Sequence, residues 1–95
     1  MVEGPTSFVA ECFWPDVDES DLEALDLRVR AVTSRLSAVA PVRYLGSILL
    51  REDEVVLCQF EGAAEAVRAV AEQAEIPFAR ILEATRSSWA IAETT

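Results

Sequence analysis

The chain has no histidine and no lysine, and its 95 residues include only three glycines, two cysteines, one methionine and one tyrosine. Each shortage removes a class of chemistry. Without histidine there is no Ser-His-Asp triad, no imidazole base at neutral pH and no nitrogen-rich metal site. All eight basic residues are arginines, set against seventeen acidic ones for a net charge of −9. That balance argues against a nucleic-acid partner, because binding a phosphate backbone needs clustered cations. The cysteines, Cys12 and Cys58, lie in apolar stretches and read as small buried hydrophobes, not a structural disulfide. No uninterrupted apolar run approaches the ~18 residues of a membrane span, and the first residues carry no basic signal region. The expectation is a cytoplasmic protein with no membrane partner.

What the chain does have is 52% hydrophobic residues, enough for one compact unit over residues 1–95. Phe8 to Trp14 is rich in aromatic and small apolar residues and stops at Pro15, which predicts a strand. Ser20-Asp21-Leu22-Glu23 has the capping-box spacing that opens a helix. Leu22, Leu25, Val29, Val32 and Leu36 then form an apolar stripe, with Asp26, Arg28, Arg30 and Arg35 read as lying mainly off it, and the helix is expected to end near Val39, before Pro41. Val42 to Arg51 and Val55 to Phe60 predict a hairpin turning through Arg51-Glu52-Asp53-Glu54. That charged tip lacks the spacing and glycine of a calcium loop. Ala66, Val67, Val70, Ala71 and Ala74 mark a second helix, ending before Ile76-Pro77, and Phe78 to Thr85 a fourth strand. The core is therefore 7–86, followed by a polar tail, 87–95, in which Trp89 and Ile91 can dock on a partner.

Strand, helix, strand, strand, helix, strand is the ferredoxin-like βαββαβ order of an α+β domain: four antiparallel strands with both helices on one face. The opposite face still carries large apolar residues. A second copy laid across it would bury them and enclose a pocket, so a homodimer, a dimeric α+β barrel, is the expected assembly. Trp14 and Trp89 suit such an interface.

Glu11 and Glu83 interrupt strands where an apolar side chain is expected. In the ferredoxin-like order their strands are neighbours, so the two carboxylates can share a face. A carboxylate among apolar side chains either reaches water through a cavity or is held neutral, and both conditions suit acid/base or metal chemistry. The structural alternative is an ion pair with Arg80, Arg43 or an arginine of a second subunit.

The chain resembles a family of small actinobacterial ferredoxin-like proteins of unknown function, known mainly through a nickel-binding member. The resemblance spans almost the whole chain. It is carried by Phe13-Trp14-Pro15, by the run Cys58-Gln59-Phe60-Glu61-Gly62-Ala63-Ala64-Glu65-Ala66-Val67, and by Ile76-Pro77-Phe78-Ala79-Arg80-Ile81-Leu82-Glu83. It implies that Glu11, Cys58, Arg80 and Glu83 occupy positions the family usually keeps, and that dimers form through the open sheet faces. One departure matters: where the family commonly has histidine on the second strand, this chain has Gly46, in Tyr44-Leu45-Gly46-Ser47. Nickel therefore does not carry over directly, and the vacated volume near Tyr44 is expected to favour an organic ligand.

These readings converge on a dimer that binds a hydrophobic small molecule, with Glu11 and Glu83 as acid and base for an isomerisation, cyclisation or elimination needing no cofactor. Tyr44, Gly46, Cys58 and Arg80 would line the pocket. One alternative is a divalent-metal protein, of nickel type, using Glu11, Cys58 and Glu83. The other is a non-catalytic interaction module in which the glutamates pair across the interface.

Overall fold

A computed structural model describes residues 6–85. The elements run β1 (Ser7–Phe13), α1 (Glu19–Leu36), β2 (Val42–Leu50), β3 (Val55–Gly62), α2 (Ala64–Gln73) and β4 (Arg80–Ala84). All pairings are antiparallel, in the order β2-β3-β1-β4. This is the ferredoxin-like α+β arrangement expected from the sequence. The predicted tail, with Trp89 and Ile91, lies outside the described residues.

Helix α1 starts earlier than the Ser20 box implies. Asp18 is the N-cap: its Oδ1 accepts from the Asp21 amide at 2.8 Å, and the Asp21 carboxylate accepts from the Asp18 amide at 3.0 Å. The same reciprocal spacing is present two residues upstream. It prevails because it puts Val17 and Leu22 at the positions of a hydrophobic staple, with Val17 in the core and Leu22 packed against it. At the other end α1 stops at Leu36, with Ser37 as the cap and the Val39 and Ala40 amides both returning to the Leu36 carbonyl. Val39, outside the helix, is exposed.

Helix α2 closes with a full Schellman motif. The Glu75 amide bonds the Glu72 carbonyl and the Ile76 amide bonds the Ala71 carbonyl. Glu75 holds the left-handed position at φ 58°, where glycine is the usual occupant. α2 has no basic residue in its last turn; Arg28 of α1 supplies one, donating from Nε to the Ala74 carbonyl at 3.0 Å.

The core lies between the helices and one sheet face. Leu25 and Val29 of α1, Val67 and Val70 of α2, and Val56, Cys58 and Phe60 of β3 are fully buried. Each such valine, leucine or phenylalanine contributes about 1.5–3 kcal/mol by leaving water. Strand alternation puts Ala10, Cys12, Val56, Cys58 and Phe60 on this face and their sequence neighbours on the other.

Strand β2 breaks the alternation once. Tyr44 pairs with Phe60 and Gly46 with Gln59, leaving Leu45 as the extra residue of a bulge. Tyr44 therefore faces the helices while Gly46 faces away. Past the bulge Ser47 and Leu49 return to the helix side, leaving Ile48 and Leu50 on the open side. Gly46 has φ +119°, and a Cβ there would meet nothing within 4 Å. Its role is conformational, and the space beside it opens on the far face from Tyr44, not next to that ring as the sequence suggested.

Candidate functional site

Two polar features stand out, one on each face of the sheet. On the open face, Glu11 of β1 lies directly opposite Arg80 of β4. Arg80 Nε donates to Glu11 Oε1 at 2.6 Å; the Glu11 side chain is 18% exposed and that of Arg80 62%. The hydrogen bond and the charge of Glu11 both push the Arg80 guanidinium further towards its protonated form. Leu57 flanks Glu11 on the β3 side, and Val9 and Leu82 face each other one step along the same two strands. Phe13, Ile48, Leu50 and Leu82 are exposed on this face. The ion pair is thus planted in a largely apolar surface that neither helix covers, with a second pair, Arg43 to Glu61 at 3.1 Å, at the far end of the same face.

Glu83 is not there. It pairs in register with Phe8, on the helix side of β4, and is exposed. The face that the two glutamates were expected to share is therefore divided between opposite sides of the sheet. Cys58 is also on the helix side, fully buried beside Cys12. The neighbouring Cys12 thiol and burial push the Cys58 thiol up, so it stays protonated and is neither a nucleophile nor a ready metal ligand. The alternative metal set of Glu11, Cys58 and Glu83 does not converge within one subunit. Among the described residues no group of three or more His, Cys, Asp or Glu side chains is placed to hold a metal ion.

The four expected pocket residues separate in the same way. Tyr44 and Cys58 face the helices, while Gly46 and Arg80 face away. Gly46 and Arg80 also sit on the two edge strands, three strand spacings apart, about 14 Å. Trp14 packs against the core, and its amide donates to the Glu54 carbonyl at 2.9 Å.

The second feature was not expected. Asp26 of α1 reaches β2, where its Oδ1 accepts from the Tyr44 hydroxyl at 2.5 Å and from the Ser47 hydroxyl at 3.1 Å. The Tyr44 ring packs on Phe60 with centroids 5.1 Å apart, and the Arg30 guanidinium sits 5.5 Å above the ring. Burial, then the bond to Asp26, drives the Tyr44 phenol well above its ordinary range. It is a fixed donor, not a base. The signal for Asp26 in the sequence is weak: four residues after Leu22, it stands just beyond the edge of the apolar stripe and is half-buried. Beside this cluster is an open cavity of about 290 Å³ lined by Arg30, Thr33, Ser34, Ser37, Val42 and Tyr44.

No family model and no curated protein matches the chain. Among solved structures it is similar to the crystal structure of SCO4226 from Streptomyces coelicolor A3(2), with a TM-score of 0.70 and 21% identity, over 86% of this chain and 99% of that one. The likeness is one of fold, and SCO4226 is a small actinobacterial protein of similar architecture.

Proposed function

We propose that the chain is a homodimer whose open sheet faces enclose a site for a hydrophobic small molecule. The observation that carries this reading is the Glu11–Arg80 pair set among the exposed Phe13, Ile48, Leu50 and Leu82. A sheet face so apolar is costly to leave in water, and a second copy is the partner available wherever the protein is made. Enclosed, the face offers what small-molecule sites commonly offer, an apolar wall with a few fixed polar groups. Arg80 engages Glu11 through Nε, and its terminal amino groups form no hydrogen bond among the described residues. They are free to orient a ligand oxygen.

The reading is one of binding. Acid/base work by Glu11 and Glu83 of one subunit would need both on one face, and the register separates them. If proton transfer takes place, Glu11 is the carboxylate in position for it. A panel of aromatic and aliphatic carboxylic acids screened by thermal shift tests the reading. At least one acid should raise the midpoint of the wild type while leaving Arg80→Gln and Phe13→Glu unmoved. A panel without effect on the wild type, or acting equally on all three proteins, would contradict it.

A further inference from the structure

The cavity between α1 and the first half of β2 lies on the helix side of the sheet, and the proposed function makes no use of it. Five of its six lining residues are polar: Arg30, Thr33, Ser34, Ser37 and Tyr44. Its volume, about 290 Å³, equals that of about ten water molecules in the liquid, room for a charged group carrying a small body.

The lining is held in place from below. Tyr44 is fixed at both ends, its ring on Phe60 and its hydroxyl on Asp26. Arg30 lies over that ring, a geometry in which the cation is attracted by the aromatic face while the guanidinium edge stays open. In a chain with seventeen carboxylates, Arg30 nonetheless has no oxygen partner among the described residues. Arg28, Arg35, Arg43, Arg51 and Arg80 all have one, and Arg68, over the Phe78 ring, is the other without, but it does not line the cavity.

The hydroxyls and carbonyls decide the sign of the ligand. Thr33 and Ser37 donate their hydroxyl protons to the Val29 and Ser34 carbonyls, whereas the Ser34 hydroxyl has no acceptor among the described residues. The end of α1 would ordinarily offer bare carbonyls to a cation. Here the Thr33, Ser34 and Leu36 carbonyls are taken by the Ser37 amide, the Ser37 hydroxyl, and the Val39 and Ala40 amides. The Arg35 carbonyl has no donor among the described residues, but Arg35 does not line the cavity; what the lining leaves without a protein partner is a guanidinium and a hydroxyl donor. Both call for an acceptor of negative charge, and a charge-assisted guanidinium pair outweighs the residual negative end of the helix.

We propose that this cavity is a binding site for a small molecule bearing an oxyanion, a carboxylate or a phosphate, clamped by Arg30 and hydrogen-bonded by Ser34. Arg30 holds the oxyanion with two parallel N–H bonds, Ser34 fixes its depth, and the Tyr44 ring keeps the guanidinium in register. The site is independent of the open sheet face.

The test is a titration of the full chain with inorganic phosphate and, separately, with acetate, followed by amide proton–nitrogen correlation spectra, with sodium chloride matched in ionic strength as reference. Wild type should show saturable shifts at Ser34, Ser37 and Tyr44 with at least one of the two anions, and the tighter one identifies the headgroup. Arg30→Gln should weaken binding by about tenfold or more, and Ser34→Ala by less, with unchanged circular dichroism. The proposal is overturned if neither anion shifts these amides beyond the chloride reference. It is equally overturned if Arg30→Gln, folded as wild type, binds as tightly.

Discussion

Glu11 and Glu83 stand on opposite faces of one sheet, although their strands are hydrogen-bonded neighbours. Glu11 is opposite Arg80, on the face the helices leave open, and Glu83 is opposite Phe8, on the face they cover. The chemistry of each carboxylate follows from that parity. The two substitutions should therefore behave differently. Glu83→Gln removes an exposed charge with no partner among the described residues and should change stability by no more than about 0.5 kcal/mol. Glu11→Gln takes the carboxylate from Arg80 and should lower the thermal midpoint measurably, as read by differential scanning calorimetry on the two variants side by side. Equal midpoints would mean that the Glu11–Arg80 pair contributes nothing.

Tyr44 is the only tyrosine, so its ionisation can be followed alone by phenolate absorbance. Its folded pKa is raised above the ordinary value of 10 by burial and by Asp26. The folded state thus keeps a proton that the unfolded state releases. The stabilisation is complete below about pH 10 and is lost as pH climbs further towards the folded value. No phenolate band should develop near pH 10 in the native protein, and the band should appear together with unfolding. In Tyr44→Phe, which lacks this proton, stability should be lower by about 1.5–3 kcal/mol at neutral pH, the range for a hydrogen bond to a charged group. Its decline above pH 10 should be shallower. A native phenolate titrating near 10 would show that the hydroxyl is not engaged.

Glu75 pays a conformational penalty at the end of α2. Held at φ 58° in the Schellman position, it should be improved upon by glycine, and Glu75→Gly is expected to stabilise by about 0.5–1 kcal/mol in urea unfolding. A destabilisation would indicate that the Glu75 side chain does something the backbone geometry does not reveal.

Gly46 and Gly62 test two reasons for glycine. Gly46→Ala faces open space and should cost about 1–3 kcal/mol through backbone strain alone. Gly62→Ala has the same kind of strained φ and also sets a Cβ 3.0 Å from the Pro41 carbonyl oxygen, so it should cost more. Equal losses in denaturant midpoints would contradict the close approach of Gly62 to the Pro41 carbonyl.

The element order, the apolar stripes of both helices and the antiparallel neighbours were legible in the sequence, because they rest on periodicities spread over many residues. Single-residue matters were not. Two overlapping capping boxes, at Ser20 and Asp18, satisfy the same spacing, and only the burial of Val17 decides between them. Side-chain parity reverses with a slip of one residue, so whether Glu11 and Glu83 share a face depended on a register that their flanking residues do not announce. The Leu45 bulge reverses parity again in β2 and separates Tyr44 from Gly46. Asp26 borders the apolar stripe of α1 without belonging to it, a position that suits a solvated carboxylate equally well. Its role rests on hydrogen bonds from Tyr44 and Ser47 of β2, which nothing in the sequence of α1 announces.

The central claim is that the open face of the sheet is closed by a second copy of the chain. Light scattering coupled to size-exclusion chromatography, on wild type and on Phe13→Glu, tests it most directly. The account predicts a wild-type mass of twice 10.4 kDa that holds on dilution through the micromolar range, and a folded monomer for Phe13→Glu. A wild type that elutes at the monomer mass at every concentration would contradict it.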